Sequence, residues 1–492
     1  MKIINNIKNK FKNWNPSNFA TILLLLLPYF VFAIKEFVLD NDFWFLYNTG
    51  KVILEKGFIM IEPFTIHENL VFIPQQWLTD VIFYLIYNRF NIIGMLILVL
   101  IVNGLIIFLI YKLSFLLSNK KNISIITSIV IDMIYLIQGI ITTRPQMFDI
   151  IIFLLELFLL ENYIKYKKNI YLYFLPLISL LLINLHASMW LMFFVFLVPY
   201  YLEYYYKKIM KEDSYEIKNI LIITIISLLI GFINPYTYHS VIYLFNSYGI
   251  KEINKMVGEM MPITIEGAAV VYFIFLFDLL MIYINKGNNK IRYILLFLGT
   301  FYLSLSHYKG VLYFFIISVV IISNSFYSVK KVKSVNLSIL EKLIYNVLII
   351  GLITFISLNI NLVDESKMAL KKVTDYLDET TNKNIKLFTG YNEGSYLEYH
   401  GYKCYIDPRA EVFLKKNNKK EDIFYEYYNL NKDFEKIQPF LKKYKFDYLL
   451  ISKSHDYLLY VIKNDRDYKL VKEVDDKNEK EVYYLFERIK YE

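Results

Sequence analysis

The sequence predicts a mainly α protein: a polytopic transmembrane helix bundle carrying a small C-terminal α/β domain. Three observations predict it. Hydrophobic residues make up 56% of the 492, and the mean hydropathy is +0.39, more apolar surface than a soluble chain of this length needs. Apolar runs near the ~20-residue spanning length recur along most of the chain. Beyond residue 361 charge rises, the apolar runs shorten, and Gly, Asp and Asn return.

Taken in order, the spans are expected at residues 19–34, 92–111, 123–141, 147–163, 170–184, 189–202, 220–234, 268–285, 292–306, 311–324 and 343–361, about eleven by the length criterion. Lys2, Lys8, Lys10 and Lys12 precede the first. No small-x-small cleavage site follows Ile34, so the first helix is read as retained. Lysines at 112, 120–121, 165–168, 207–218, 286–290 and 330–342 then fall on one side, which the positive-inside rule makes cytoplasmic. That parity requires the apolar segment 76–89 to lie in the interface without crossing. The first outer loop (35–91) is then large. Residues 1–362 form the helical domain and 363–492 an extracytoplasmic α/β domain. In the latter, 385–389, 396–399, 402–406, 448–452 and 482–486 read as strands, and 370–378 and 434–444 as helices.

The outer connections gather polar residues. The stretch 40–77 is too polar to cross and too aromatic for a solvated linker; Asp40 and Asp42 precede Phe43, Trp44, Phe45 and Tyr47, expected on the headgroup layer. Arg144, Asn184, His186, Glu259, Glu266, His307 and Lys309 fall on later outer connections. Cations there would hold a phosphate, and a carboxylate would take a proton from an attacking hydroxyl. Each also has a structural reading. Asp40 and Asp42 can end a helix in water, Arg144 can meet a lipid headgroup, His186 can be an interfacial imidazole, and Lys309 can snorkel. Acids within spans (Asp132, Asp149, Glu156, Asp278) are costly and suit function or internal pairing. No HExxH, CxxC, Walker or dinucleotide motif is present. The single cysteine, Cys404, permits no internal disulfide. The net charge of +9 is loop lysine without an aromatic-studded basic face, so nucleic acid is not an expected partner.

Together the motifs resemble a family. AspAsnAspPheTrp (40–44) with Gly50, GluProPheThr (62–65) and GlnTrpLeuThrAsp (76–80) are similar to the first outer loop of the C-type (GT-C) glycosyltransferase-like membrane proteins. ArgProGln (144–146), AsnLeuHisAlaSer (184–188), AsnProTyr (234–236), GlyGluMetMetPro (258–262) and TyrIleAspProArgAla (405–410) follow in the expected order. The resemblance implies a GT-C-like bundle in the plasma membrane, with a cytoplasmic N-terminus. It implies transfer of a sugar from a polyprenyl-phosphate-linked donor to a lipid, glycan or protein acceptor on the outer face, by inverting single displacement. Asp42 is then the catalytic base, with Asp40 as the alternative. Arg144, His186, Lys309 and His307 would bind the donor phosphate, and Trp44, Glu259 and Asn184 the substrate. No cofactor is fixed by the resemblance, and Asp42 and Glu259 could share a divalent Mg or Mn ion. The sequence departs from the pattern at Phe43, Met260 and Lys309, where Trp, Trp and Arg are common.

Two other classes use the same loops. A non-catalytic lipid-linked-glycan transporter or assembly scaffold would tolerate carboxylate substitution. A surface-polysaccharide polymerase or ligase would use a diphosphate-linked glycan.

Overall fold

The computed structural model describes residues 37–489, apart from 248–249, 265–267, 286, 328–367 and 477–480. The expected spans 19–34 and 343–361, and Glu266, lie outside the described residues.

The chain begins with helix α1 (Phe43–Lys56), set against α2 (Trp77–Ser118). Gly50 makes the contact: a Cβ there would lie 2.1 Å from the Asp80 carbonyl oxygen. Helix α2 breaks at Asn91 (φ 51°, ψ −150°), so the amphipathic segment before it is a separate limb from the apolar one after it. Helices α3 (Lys121–Ile137), α4 (Gln146–Tyr166), α5 (Leu175–Leu185), α6 (Trp190–Ile209), α7 (Ile217–Ile230), α8 (Ala269–Ile284), α9 (Ile291–Ser306) and α10 (Val311–Ser325) follow. Every residue of α10 is buried, as expected of a helix apolar all round. It sits against α2, α3, α4, α8 and α9 and forms the centre of the bundle.

Among the described residues, Trp77–Ser118, Ala187–Ile209 and Tyr308–Ser325 are long and apolar enough to cross a membrane, which makes this a membrane protein. Ile170–Leu185, Ile217–Ile230, Ala269–Ile284 and Ile291–Ser306 are apolar but shorter. At 1.5 Å per residue they rise roughly 21–24 Å against a hydrocarbon core of about 30 Å. Helix α4 has the length, but it buries Asp149, Glu156 and Glu161.

Helix α4 and its neighbours are fastened at the end remote from Gln146. Arg292, buried, donates from Nε and Nη2 to the two Glu161 oxygens (2.8 and 2.7 Å) and from Nη1 to Glu203 Oε1 (2.6 Å). The Tyr200 and Tyr293 hydroxyls also donate to Glu161, at 3.0 and 2.6 Å. Planar bidentate pairing satisfies charges that would otherwise be costly inside a bundle.

The C-terminal part holds a five-stranded mixed sheet of order β2-β1-β3-β5-β4, with β1 (Lys386–Phe388), β2 (Lys403–Cys404), β3 (Tyr448–Ser452), β4 (Tyr468–Asp476) and β5 (Glu481–Arg488). β1 pairs parallel with β2 and β3; β5 pairs antiparallel with β3 and β4. The expected strand 396–399 is instead a helix (Gly394–Tyr399). The helical turn brings Tyr396 and Tyr399 to one face, where both rings meet Trp44, at centroid distances of 5.3 and 4.4 Å. Strand β4 has no counterpart in the sequence reading; its charged residues (Lys469, Lys472, Glu473) mask the alternation.

The first loop is stitched to this sheet. Thr65 forms a parallel bridge with Cys404, and the Ile66 N–H donates to the Cys404 carbonyl at 2.9 Å. Leu70 and Phe72 join the core of the C-terminal part. Phe43, Trp44, Phe45 and Tyr47, expected on the headgroup layer, are buried instead. Phe43, Trp44 and Tyr47 pack against Tyr84, Tyr87, Tyr396 and Tyr399, and Phe45 lines a cavity. Burial of 150–250 Å² per ring gives those residues more in a protein interface than at a membrane surface.

Candidate active site

The first loop, the helix ends and the C-terminal part wall a cavity of about 500 Å³. Asp42 lines it from the start of α1, Arg144 and Gln146 from the start of α4, and His186 from the α5–α6 connection. Glu259 comes from the turn Gly258–Met260, and Lys309 from the turn before α10. Tyr391, Arg409, Glu411 and Tyr427 close it from the C-terminal side.

Local chemistry fixes the acids and Arg144. Asp40 Oδ1 accepts the Asp42 N–H (3.0 Å) and lies 2.6 Å from Arg144 Nε. The Asp40 N–H in turn donates to Thr143 Oγ1 at 2.9 Å, tying the loop to the Arg144 turn. Arg144 Nη2 lies 3.4 Å from Asp42 Oδ2, and Nη1 pairs with Glu259 Oε1. Lys309 Nζ lies 3.5 Å from the other Glu259 oxygen. One guanidinium therefore faces three carboxylates. Burial pushes the Asp42 carboxyl up to about 6; Arg144 opposes this, and Asp40 adds to it. Burial also raises Glu411 above the ordinary carboxylate range.

His186 is held from behind. Its Nδ1 lies 2.7 Å from Asp149 Oδ2, both residues being buried. A carboxylate on Nδ1 selects the tautomer that leaves Nε2 for a ligand.

A second charged cluster anchors the far wall. Buried Arg409 donates to Glu62 Oε1 (2.8 Å) and Asp407 Oδ1 (3.0 Å), and its guanidinium lies over Phe64 and Phe72. Glu62 also accepts the Phe64 and Thr65 N–H groups and the Thr65 hydroxyl. Burial, with Asp407 beside it, raises the Glu398 carboxyl well above its usual range. The GluProPheThr and AspProArgAla motifs are thus two halves of one fastening.

Of the residues singled out by sequence, Asp42, Arg144, His186, Glu259 and Lys309 meet at the cavity. Asp40 lies behind Arg144, in a smaller adjoining space of about 90 Å³ that Glu259 and Lys309 also line. Trp44, Asn184 and His307 are not among the lining residues. Trp44 belongs to the aromatic cluster. Asn184 Oδ1 accepts the Trp77 indole N–H (2.8 Å), and its amide donates to Leu180 and Ile233 carbonyls. His307 is a half-buried residue in extended backbone ahead of the Lys309 turn. The sequence reading did not single out Glu411 or Tyr427; Tyr391 falls in the motif GlyTyrAsnGluGlySerTyrLeuGluTyrHisGly (390–401), which also resembles the family, and the 405–410 motif directly precedes Glu411.

The pair Asp42 and Glu259 does not fit a shared divalent ion, because the Arg144 guanidinium stands between them. Among the described residues no group of three or more His, Cys, Asp and Glu forms a metal cage.

The chain is similar to the crystal structure of the Archaeoglobus fulgidus oligosaccharyltransferase in its apo form, with TM-score 0.58 over 88% of this chain and 69% of that one, at 9% sequence identity. At that identity the likeness is one of fold, and the fold is GT-C-like. No family model and no curated protein matches the sequence.

Proposed function

We propose that this protein is a membrane glycosyltransferase that takes a sugar from a polyprenyl-phosphate-linked donor and passes it to an acceptor hydroxyl in the 500 Å³ cavity. The observation that carries the reading is the placement of Asp42, with its raised carboxyl, opposite Arg144, Lys309 and the Asp149-backed His186. The similarity in fold to an oligosaccharyltransferase supports it. The donor's tail lies between helices and its phosphate near Arg144, Lys309 and His186. Asp42 removes the proton from the acceptor hydroxyl, whose oxygen attacks the anomeric carbon opposite the phosphate. The carbon–oxygen bond to phosphate breaks, the electron pair leaves with the phosphate, and the cations take up its developing charge. One displacement inverts the anomeric centre. Asp42 is favoured over Asp40 because Asp42 lines the larger cavity, while Asp40 positions both Asp42 and Arg144. The cavity opens on the extracytoplasmic face of the plasma membrane. The following α/β domain shapes the acceptor side.

The test uses the full chain in lipid, labelled polyprenyl-phosphate sugars and a crude lipid and glycan acceptor fraction. Transfer by the wild type that is lost in Asp42→Asn, with folding intact and only lowered in Asp40→Asn, is the expected result. No transfer from any donor, with donor binding unaltered in both variants, would sink the reading in favour of a transporter or scaffold.

A further inference from the structure

We propose that Arg144 is the resident cation of this site, standing where a divalent metal would otherwise sit, so that the transfer needs no Mg or Mn. The inference rests on the reaction proposed above but is tested separately from it. The geometry carries it. Each nitrogen of the guanidinium faces a different carboxylate: Nε faces Asp40 at 2.6 Å, Nη2 faces Asp42 at 3.4 Å, and Nη1 faces Glu259. Glu259 has its second oxygen turned to Lys309 at 3.5 Å. A hard divalent ion needs several of these oxygens within about 2.0–2.6 Å and open to it. Here they already converge on a planar cation that cannot lose its proton.

The arginine is also locked in place. Its backbone precedes Pro145, which restricts it to an extended region or a turn, and its N–H donates to the Thr142 carbonyl at 2.8 Å. A metal in this position would orient the base and draw charge from the leaving phosphate. The guanidinium can do both. Each Nη carries two N–H groups, so the guanidinium can stay among the acids and still reach phosphate oxygens. The acids then serve Arg144 as a cradle, and Asp42 alone among them moves a proton.

The experiment measures Mn2+ binding by electron paramagnetic resonance on the full-length protein in nanodiscs after chelator treatment, alongside transfer with and without EDTA. The wild type is expected to bind no Mn2+ specifically and to keep its transfer rate in EDTA. Arg144→Ala is expected to gain one Mn2+ site, roughly tenfold or more tighter than any wild-type binding, as a fixed positive charge is withdrawn from among the acids. That site should vanish in the Arg144→Ala, Asp42→Asn, Glu259→Gln triple variant. Arg144→Lys, which keeps the charge, serves if Arg144→Ala does not fold, and should gain no site. A wild-type Mn2+ site lost on Asp42→Asn, or transfer abolished by EDTA, would overturn the proposal. So would a folded Arg144→Ala protein that gains no site. If no sugar donor supports transfer at all, the Mn2+ measurement still decides the question, and only the glycosyltransferase reading falls.

Discussion

His186 Nδ1 lies 2.7 Å from Asp149 Oδ2, an imidazole at the cavity wall backed by a buried acid from the first turn of α4. The pair fixes both ring orientation and tautomer, so Asp149 is a positioning residue for whatever His186 touches. A charge-assisted hydrogen bond of this kind contributes about 1.5–3 kcal/mol. Asp149→Asn is therefore expected to weaken donor binding roughly 10- to 100-fold, with the Tm changed little because the amide still fills the space. Titrating a labelled polyprenyl-phosphate sugar against both proteins checks this; unchanged affinity would show that His186 does not meet the donor.

The carboxyl of Asp42, pushed up to about 6 by burial, sets a pH dependence. As the proposed base, Asp42 must be ionised, so kcat/KM should fall tenfold per unit as pH drops below about 6 and level off above it. The effect on stability has the opposite sign. The raised value means that the fold favours the protonated acid, so ionising Asp42 costs stability as pH rises from 3.8 towards 6. Asp42→Asn should then abolish transfer without lowering Tm at pH 7.5. A variant that loses both would indicate that Asp42 supports the fold.

Gly50→Ala places a methyl 2.1 Å from the Asp80 carbonyl oxygen, a backbone atom that cannot move aside alone. Overpacking of this kind costs about 1–3 kcal/mol. Helix α1 carries Asp42 at its start, so activity should fall along with thermal stability. Gly104→Ala, where no atom lies within 4 Å of the added methyl, is the matched control in α2. Equal Tm values for the two variants would contradict the packing argument.

Arg292 offers a change in stability that spares the site. Arg292→Met removes the shared buried cation and leaves as counter-charge only Lys290 at 3.9 Å for Glu161 and Lys207 at 3.6 Å for Glu203, a loss of up to about 3–5 kcal/mol in the bundle. Glu161 lies fifteen residues from Gln146 along α4, roughly 22 Å at 1.5 Å per residue, so activity per folded molecule should be unchanged. Adding Glu161→Gln and Glu203→Gln should restore much of the Tm. A triple variant as unstable as the single one would show that shape rather than charge holds that end.

Much of this was legible because the residues concerned announce themselves locally. Two acids before an aromatic run, Arg before Pro, and His in a tight turn between apolar segments each mark a polar group forced to the end of a helix. Their convergence on one cavity follows from their shared side. What the sequence hid was pairing over long separations. Nothing local tells that Trp44 will meet Tyr396 and Tyr399, or that Asn184 will hold Trp77. The aromatic spacing of 396–399 fits a strand as well as a helix, and the contact with Trp44 decides for the helix. Glu411 gave no signal because a lone glutamate after a motif resembles a surface charge.

The seam between Thr65 and Cys404 has a consequence for synthesis. The first loop emerges early, yet the strand that receives it is made only after helices α2 to α10. Until then Glu62 has no arginine and Trp44 lacks the cover of Tyr396 and Tyr399. The cavity can therefore close only in a chain translated through its sheet. A ribosome that stalls inside the bundle leaves a fragment with an open mouth and Glu62 without its arginine, a form that quality-control proteases can recognise.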